Sequence, residues 1–175
     1  QNAEWAMKQG KWKKFALLLE NTDYGRGGGE TWSNVVKGKG GEILATEYFN
    51  LGDSDFTTQL TKIKAKDPEG IFLVGLITEG AQILRQARQL GMKQQFFGLG
   101  GFASDKFIQL AGGAAEGLIN NSYWEPNPKI PKSIAFKENF EKFSKMEAEM
   151  FSAATYDAVY ILKEAFEKAG VLGTD

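Results

Sequence analysis

The stretch KFALLLENTDYGRGGGETW, Lys14–Trp32, decides the fold class. It opens with a continuous apolar run, Lys14–Glu20, which is typical of a strand buried on both faces of a sheet. Turn-forming residues follow at once, and the apolar spacing beyond them predicts a helix over residues 28–37. A buried strand that passes through a glycine-rich segment into a helix indicates an α/β sheet with parallel strands.

The same alternation of strand and helix continues through most of the chain. Asp and Ser before Phe56, and Thr78 before the next apolar stripe, are residues of the kind that cap helices, and Gly91 is a typical helix end. This alternation predicts a Rossmann-like, three-layer αβα fold with a mostly parallel five-stranded sheet. The predicted strands are 14–20, 41–49, 70–75, 94–99 and 116–123, and two short helices are predicted over 2–9 and 104–111.

The pattern changes at EPNPKIP, Glu125–Pro131, where three prolines fall within seven residues. Such density predicts a linker-like crossing, and two striped helices without a further strand follow it. We therefore expect residues 1–124 to form the α/β lobe and residues 125–175 to form the crossing and two helices, whose apolar partner the sequence does not identify. The stripes comprise Phe136, Phe140 and Phe143 in the first helix, and Phe151, Ala158, Leu162, Phe166 and Ala169 in the second.

The composition excludes several classes of function. The chain has neither histidine nor cysteine, which removes Ser-His-Asp triads, cysteine nucleophiles, disulfides and the usual zinc sites. Its net charge is −1 and no basic stripe is visible, so nucleic acid is not an expected partner. No apolar run is long enough to span a membrane. Because the first residue is Gln1 and not Met, we expect a mature or cut piece of a protein.

The four glycines of Gly25–Gly29 first suggest a phosphate-binding loop. A Walker loop requires a Lys-Ser or Lys-Thr after its glycines, and none follows here. A dinucleotide-binding turn requires a sixth-position glycine, and Glu30 stands there, where its charge would repel a pyrophosphate. We therefore predict no nucleotide cofactor, and we interpret the glycines as a strand-to-helix turn that needs positive φ and close packing.

A binding site is predicted where the carboxyl ends of neighbouring parallel strands meet, because ligands of open α/β sheets bind there. The lining would be mostly apolar with few polar groups, which suits a small organic molecule better than a polyanion. Each residue also has a structural explanation, as core or as a helix cap, and helix capping or the helix dipole likewise explains Asp53, Asp55 and Glu79 without catalysis. The candidate ligand-binding residues are Asp23, Tyr24, Leu76, Ile77, Thr78, Gly100 and Phe102, and no catalytic or metal-binding residue is predicted.

Several motifs, taken in order, resemble the substrate-binding proteins of branched-chain amino acid ABC transporters, the leucine/isoleucine/valine-binding family of type I periplasmic binding proteins. They are TDYGRG, GGEILATEYFNLGDSDFTTQLTKIKAKDPEGIFLVG, ILRQARQLGMKQQFFGLGG, LAGGAAEGL and SAATYDAVYILKEAF. The resemblance covers nearly the whole chain. It implies two Rossmann-like lobes that close on a ligand, of which this chain resembles the second. The first lobe would be missing, and the chain would cross back to it near residues 121–125.

The resemblance also assigns roles to individual positions. The tyrosine of the family's YG motif falls on Tyr24, which would pack on the ligand or hydrogen-bond to it. An aromatic pair of the family falls on the aliphatic Leu76 and Ile77, and the acid that pairs with the ligand's ammonium falls on Gly100. A buried, unpaired ammonium costs several kcal/mol. Either another acid, Asp23 or Glu79, replaces the missing one, or the ligand carries no ammonium.

The resemblance favours a transport binding module that closes on its solute and performs no chemistry. Its ligand would be a branched-chain amino acid or a related small carboxylate or amide. Its partners would be the permease of an ABC transporter and the missing first lobe. Its location would be periplasmic or extracellular, with a lipid anchor as one means of membrane association. A ligand-sensing ectodomain of a signalling receptor is the alternative with the same fold, whereas a nucleotide-dependent enzyme is disfavoured by the glycine motif and the missing His and Cys.

Overall fold

The computed structural model describes residues 2–9 and 12–170. The chain divides into two compact units, Gln1–Asn121 and Ser122–Asp175. Unit 1 holds the sheet and most of the helices, and unit 2 holds the last two helices. The assignment of residues 1–124 and 125–175 to different lobes of a larger protein remains a prediction.

Unit 1 is an α/β sheet in which all strand pairs are parallel, and this confirms the predicted fold class. The strand order is β2-β1-β3-β4-β5. The strands are β1 (Lys14–Glu20), β2 (Glu42–Phe49), β3 (Gly70–Val74), β4 (Gln95–Gly98) and β5 (Ile119–Asn120). The helices are α1 (Asn2–Lys8), α2 (Asp23–Gly38), α3 (Thr57–Ala65), α4 (Ile77–Gln89) and α5 (Asp105–Ala111), followed by a 3₁₀ turn at Gly112–Ala115.

The alternation of side chains along β1 builds a core on each face of the sheet. Leu17 and Leu19 pack on the face covered by α1 and α2, beside Trp32. Ala16 and Leu18 pack on the opposite face, which α3, α4 and α5 cover. Because successive residues of a strand point to opposite faces, a run in which every residue is apolar requires both faces to be buried. The result is the predicted three-layer arrangement.

Helix α2 begins at Asp23, five residues before the predicted start, so the glycine segment is helical. None of its glycines has positive φ, and the prediction of a left-handed turn is wrong. The prediction of close packing holds most strongly for two of them: a Cβ at Gly25 would lie 2.9 Å from the carbonyl carbon of Glu20, and a Cβ at Gly29 would overlap the Leu19 side chain. Absence of a side chain lets α2 lie directly against the strand that precedes it.

Two further details differ from the predictions. Thr78 lies in the first turn of α4 and is not its cap, because the N-cap residue is Leu76, which makes no side-chain capping bond. The last strand is limited to Ile119–Asn120, whereas a strand over residues 116–123 was predicted. Gly91, with φ of +71°, follows the end of α4 as predicted.

Unit 2 consists of α6 (Pro131–Ser144), α7 (Met150–Ala169) and the segment that precedes them. Phe136 is its aromatic centre, with Trp124 at 5.4 Å and Tyr156 at 4.9 Å between ring centroids. Much of the predicted apolar stripe remains exposed, and Phe143 is 91% exposed. The two helices alone therefore do not bury their own apolar faces.

Candidate functional site

The topological switch point of the sheet lies between β1 and β3, at the carboxyl ends of the strands. The chain leaves β1 through α2 toward one edge of the sheet, and it leaves β3 through α4 toward the other edge. These two helices cover opposite faces, as the two cores show. The connections after β1 and β3 thus separate, and a ligand-binding crevice forms at such a switch point in open α/β sheets.

The loop after β1 brings Asp23 and Tyr24 to this edge. Thr22 is the N-cap of α2: its hydroxyl oxygen accepts the Gly25 N–H at 3.2 Å, and it donates to Oε1 of Glu20 at 3.1 Å. Asp23 and Tyr24 form the first helical turn, and the Tyr24 side chain is 49% exposed. The cap therefore fixes the backbone that presents an accessible aromatic side chain beside the crevice.

The loop after β3 supplies the second wall. Leu76 is 49% exposed at the N-terminus of α4, while Ile77 is half-buried against the core beneath. Thr78 is exposed in the same turn. β1 and β3 are neighbouring strands with Leu19 paired to Val74, so these residues and Tyr24 follow adjacent strand ends.

The loop after β4 contributes backbone to the edge, and not an exposed large side chain. Gly100 is buried with φ of +47°, a conformation that favours glycine. Phe102 is buried, and its ring stacks on Phe107 at 4.6 Å between centroids and fills the space above Gly80 and Gly98. The structure places Phe102 in the core, so of the predicted residues in this loop only the Gly100 backbone lies at the sheet edge.

Two buried carboxylates, Glu20 and Glu79, lie near the carboxyl ends of β1 and β3. Glu79, in the first turn of α4, accepts the Gly52 N–H at 3.0 Å and so ties the loop after β2 to α4. Glu20, at the end of β1, is 4% exposed, and its Oε2 has no hydrogen-bond partner among the described residues. Of the two acids proposed to replace the one missing at Gly100, Glu79 is engaged in the scaffold and Asp23 is exposed.

Sequence reasoning did not single out Glu20. The signal was present, since Glu20 is the one charged residue that closes an otherwise apolar run before a turn. A charged residue at this place also marks the end of a strand, and here its carboxylate additionally accepts a hydrogen bond from the Thr22 hydroxyl.

The loop after β2 borders the site with two further acids. Asp53 accepts the Asn50 N–H at 2.7 Å, and Asp55 accepts the Thr57 N–H at 2.9 Å. The hydrogen bonds from Thr57 hold the pKa of Asp55 below its ordinary value. Both carboxylates thus organise the turn before α3, but the prediction that this segment supplies the N-cap is wrong, because the N-cap residue is Phe56, which makes no side-chain capping bond.

We expect Glu79→Ala to lower the free energy of unfolding by about 2 kcal/mol, because it removes a hydrogen bond between a buried carboxylate and a backbone N–H. Glu79→Gln keeps an acceptor oxygen and should lose less than half as much. Urea denaturation of both variants measures the difference. Equal losses in the two variants would show that the charge, and not the bond to Gly52, is what matters.

Within the described ranges, no group of three or more acids or other metal-ligating side chains could hold a metal ion. Likewise, no helix in residues 2–9 and 12–170 is long and apolar enough to cross a membrane.

The family model described as "Periplasmic binding protein" matches residues 2–175. The chain belongs to the periplasmic binding protein family. This membership confirms the resemblance drawn from the sequence motifs. It also confirms that the family is one of binding proteins and not of enzymes.

Individual relatives agree with this family. A leucine-, isoleucine-, valine-, threonine- and alanine-binding protein of Pseudomonas aeruginosa is 28% identical over 158 residues, which cover 90% of this chain and 42% of the relative. The crystal structure of a leucine-binding protein from Thermotoga maritima is similar with a TM-score of 0.86 and 31% identity, covering 96% of this chain and 48% of that one. A branched-chain amino acid transporter substrate-binding protein from Streptococcus pneumoniae, solved with isoleucine, has a TM-score of 0.82 and 30% identity over 94% of this chain and 47% of that one.

The chain spans about half the length of these periplasmic binding proteins. The β1/β3 switch point lies within the part of the relatives' length that this chain spans.

Proposed function

We propose that this chain is the second lobe of an extracytoplasmic solute-binding protein that serves an ABC transporter. In this proposal a small organic solute lies on the carboxyl edge of the sheet, and a first lobe closes over it. The observation that carries the proposal is the exposed pair Tyr24 and Leu76 at the switch point of the sheet. Large side chains left half-exposed beside a crevice are typical of a surface that a ligand covers.

The chemistry of this edge favours a small solute with an apolar part. Tyr24 supplies an aromatic face and a hydroxyl group, and Leu76 and Ile77 supply aliphatic surface. The solute class that fits is a branched-chain amino acid or a related small carboxylate or amide, in keeping with the binding names of the relatives. For an amino acid, Asp23 is the exposed carboxylate in the loop after β1 that could meet the ammonium.

Unit 2 fits the same proposal. Its helices α6 and α7 leave a groove of about 1300 Å³ lined by aromatic side chains, and Phe143 stands almost fully exposed. We propose that these helices pack on the sheet of the first lobe. The first lobe and the membrane permease are then the two protein partners, and the location is periplasmic or extracellular.

The test uses the two-lobed protein, in which this chain follows its first lobe. We expect the thermal midpoint to rise with leucine, isoleucine, valine, an aromatic carboxylate, a keto acid or a small amide. A ligand at 100 times its dissociation constant adds about 2.7 kcal/mol of stability, which is readily measured. A response to none of these compounds would contradict the proposal, and a response only to compounds without an amine would assign Gly100 a role in specificity.

Two matched variants locate the site. We expect Tyr24→Ala and Leu76→Ala each to raise the dissociation constant about tenfold or more, measured by titration calorimetry, since each removes about 1.4 kcal/mol of contact energy. Leu110→Ala is the control, because Leu110 is 41% exposed and lies near the C-terminal end of α5, a helix that follows neither β1 nor β3. Equal weakening by all three substitutions would place the ligand elsewhere.

A further inference from the structure

Three asparagines surround the loop after β4, and the sequence motifs gave them no role. Asn2 lies at the start of α1, while Asn120 and Asn121 lie at the end of β5. All three side chains are partly buried, and all three make hydrogen bonds to the segment Gly98–Gly100 or to one another. We call this group the amide cluster.

The amide cluster occupies both polar groups of the Gly100 backbone. The Gly100 N–H donates to Oδ1 of Asn121 at 3.3 Å, and Nδ2 of Asn120 donates to the Gly100 carbonyl at 3.1 Å. Gly100 has φ of +47° and lies outside the helices and strands, and its carbonyl also accepts the Ala103 N–H at 2.9 Å. Its N–H is satisfied by the side chain of Asn121, the residue that directly follows β5.

Asn2 joins the cluster from α1. Its Nδ2 donates to the Gly98 carbonyl at 2.7 Å and to Oδ1 of Asn121 at 3.3 Å. Oδ1 of Asn121 therefore accepts from two donors, one on α1 and one on the loop after β4. Asn121 is also the last residue of unit 1, so the centre of the cluster lies at the point where the chain leaves the sheet.

The same cluster explains why Gly98 has no side chain. A Cβ at Gly98 would lie 2.6 Å from Oδ1 of Asn120 and 2.6 Å from the Phe102 ring. The Asn120 amide thus packs on the backbone of β4, where only glycine leaves room for it. Close packing against Asn120 and Phe102 therefore fixes Gly98, and hydrogen bonds from the amide cluster fix Gly100.

We propose that the amide cluster sets the position of Gly100 at the ligand edge, and that Asn121 is its central positioning residue. This inference rests on the proposed function, since it gives the loop after β4 a fixed place against the solute. Asn121 does not itself touch the solute; it acts through the Gly100 backbone. Loss of its acceptor frees the loop, and the solute must then order that loop on binding, which weakens affinity.

A pair of Asn→Asp variants separates this role from a general effect of added charge. In Asn121→Asp the side chain still offers an oxygen to the Gly100 N–H and to Asn2. In Asn120→Asp a donor is replaced by an acceptor that faces the carbonyls of Gly100 and Asn121, to which Nδ2 of Asn120 now donates. Asn121→Leu removes the acceptor and keeps the same number and branching of side-chain heavy atoms. We therefore expect Asn→Asp to disrupt the cluster at position 120 and to preserve it at position 121.

The experiment measures two quantities on the two-lobed protein, well below the unfolding temperature of each variant. The first is hydrogen exchange of the Gly98–Gly100 segment without ligand, and the second is the dissociation constant for the solute that stabilises the wild type. We expect Asn120→Asp and Asn121→Leu to speed exchange at least tenfold and to raise the dissociation constant at least tenfold. Asn121→Asp should stay within about threefold of wild type in both.

The outcomes distinguish the inference from the function on which it rests. If wild type binds a solute and Asn121→Leu binds it equally well, the inference is overturned while the function stands. If Asn121→Asp behaves like Asn121→Leu, the acceptor is not what matters, and the inference is again overturned. If wild type binds none of the solutes, the proposed function fails, and unchanged hydrogen exchange in Asn121→Leu would independently refute the cluster's hold on Gly100.

Discussion

Replacing Gly25 with alanine is expected to destabilise unit 1 by about 3 kcal/mol, at the upper end of the usual range for overpacking. The new Cβ would lie 2.9 Å from the carbonyl carbon of Glu20 and closer still to the carbonyl oxygen. Both are backbone atoms of β1 and cannot rotate aside. Relief requires α2 to move away from the strand, and this movement also strains the bond between the Gly25 N–H and the Thr22 hydroxyl.

Gly27→Ala is the matched control, because Gly27 lies in the same helix and a Cβ there would meet nothing within 4 Å. Alanine at such a position is expected to stabilise the protein by about 0.4–1 kcal/mol, since it restricts the unfolded chain and favours the helix. The midpoints of urea denaturation for the two variants should therefore move in opposite directions. A shift of both midpoints in the same direction would contradict the close contact between α2 and β1.

This pair of glycines also shows the limit of what the sequence could predict. A cluster of glycines after a strand indicates that side chains are disfavoured there. Either positive φ or close packing can be the reason, and both give the same composition. The sequence does not separate them, and the prediction of a turn with positive φ was wrong. Gly25 and Gly29 are required because a strand lies against the helix, which is a tertiary contact.

The parallel sheet itself was predictable, because its signal is local and repeated. The run Lys14–Glu20 became β1 with the predicted bounds, since five consecutive apolar residues can be buried only by covers on both faces. The last strand was overestimated, since the whole segment 116–123 was predicted as a strand and Ile119 and Asn120 are the residues that pair with β4. Pairing ends where the neighbouring strand ends, and the sequence of one strand does not contain that information.

The sequence predicted the location of the candidate site better than it predicted which side chains line it. The carboxyl ends of neighbouring parallel strands lie at the same edge of a sheet. The sequence therefore predicted that Tyr24, Leu76 and Gly100 lie at one edge. The direction of each side chain depends on the path of its loop. Phe102 turned into the core against Phe107 for that reason. Their roles in ligand binding remain predictions.

The amide cluster escaped sequence reasoning because its members are far apart in the chain. Asn2 and Asn121 are separated by nearly the whole of unit 1, and asparagine is common in turns and at strand ends. Only the fold brings these side chains to one glycine backbone. In unit 2, by contrast, the two helices were predicted from their aromatic stripes, and what covers those stripes was not.

Replacing Trp32 with alanine is expected to cost about 4 kcal/mol in the free energy of unfolding, within the range for large aromatic residues in a core. Trp32 is buried on α2 and stacks on Phe72 with 4.1 Å between centroids, and it lies 5.3 Å from the Phe97 ring. These rings belong to β3 and β4, so Trp32 joins α2 to the centre of the sheet. Circular dichroism is the suitable probe during urea denaturation, because loss of a tryptophan alters the fluorescence.

Trp32→Phe separates the contribution of the ring stack from that of the indole N–H. The Trp32 Nε1 is buried without a hydrogen-bond partner among the described residues, and an unsatisfied donor of this kind costs about 1–3 kcal/mol. Phenylalanine keeps a ring on Phe72 and removes that donor, so its loss should be less than half that of alanine. Trp5→Ala, at an exposed tryptophan of α1, controls for the loss of an indole away from the sheet and should also cost less than half. If Trp32→Phe proved as costly as Trp32→Ala, the stack on Phe72 would not be the contact that holds α2, and with it the turn that carries Tyr24, against the sheet.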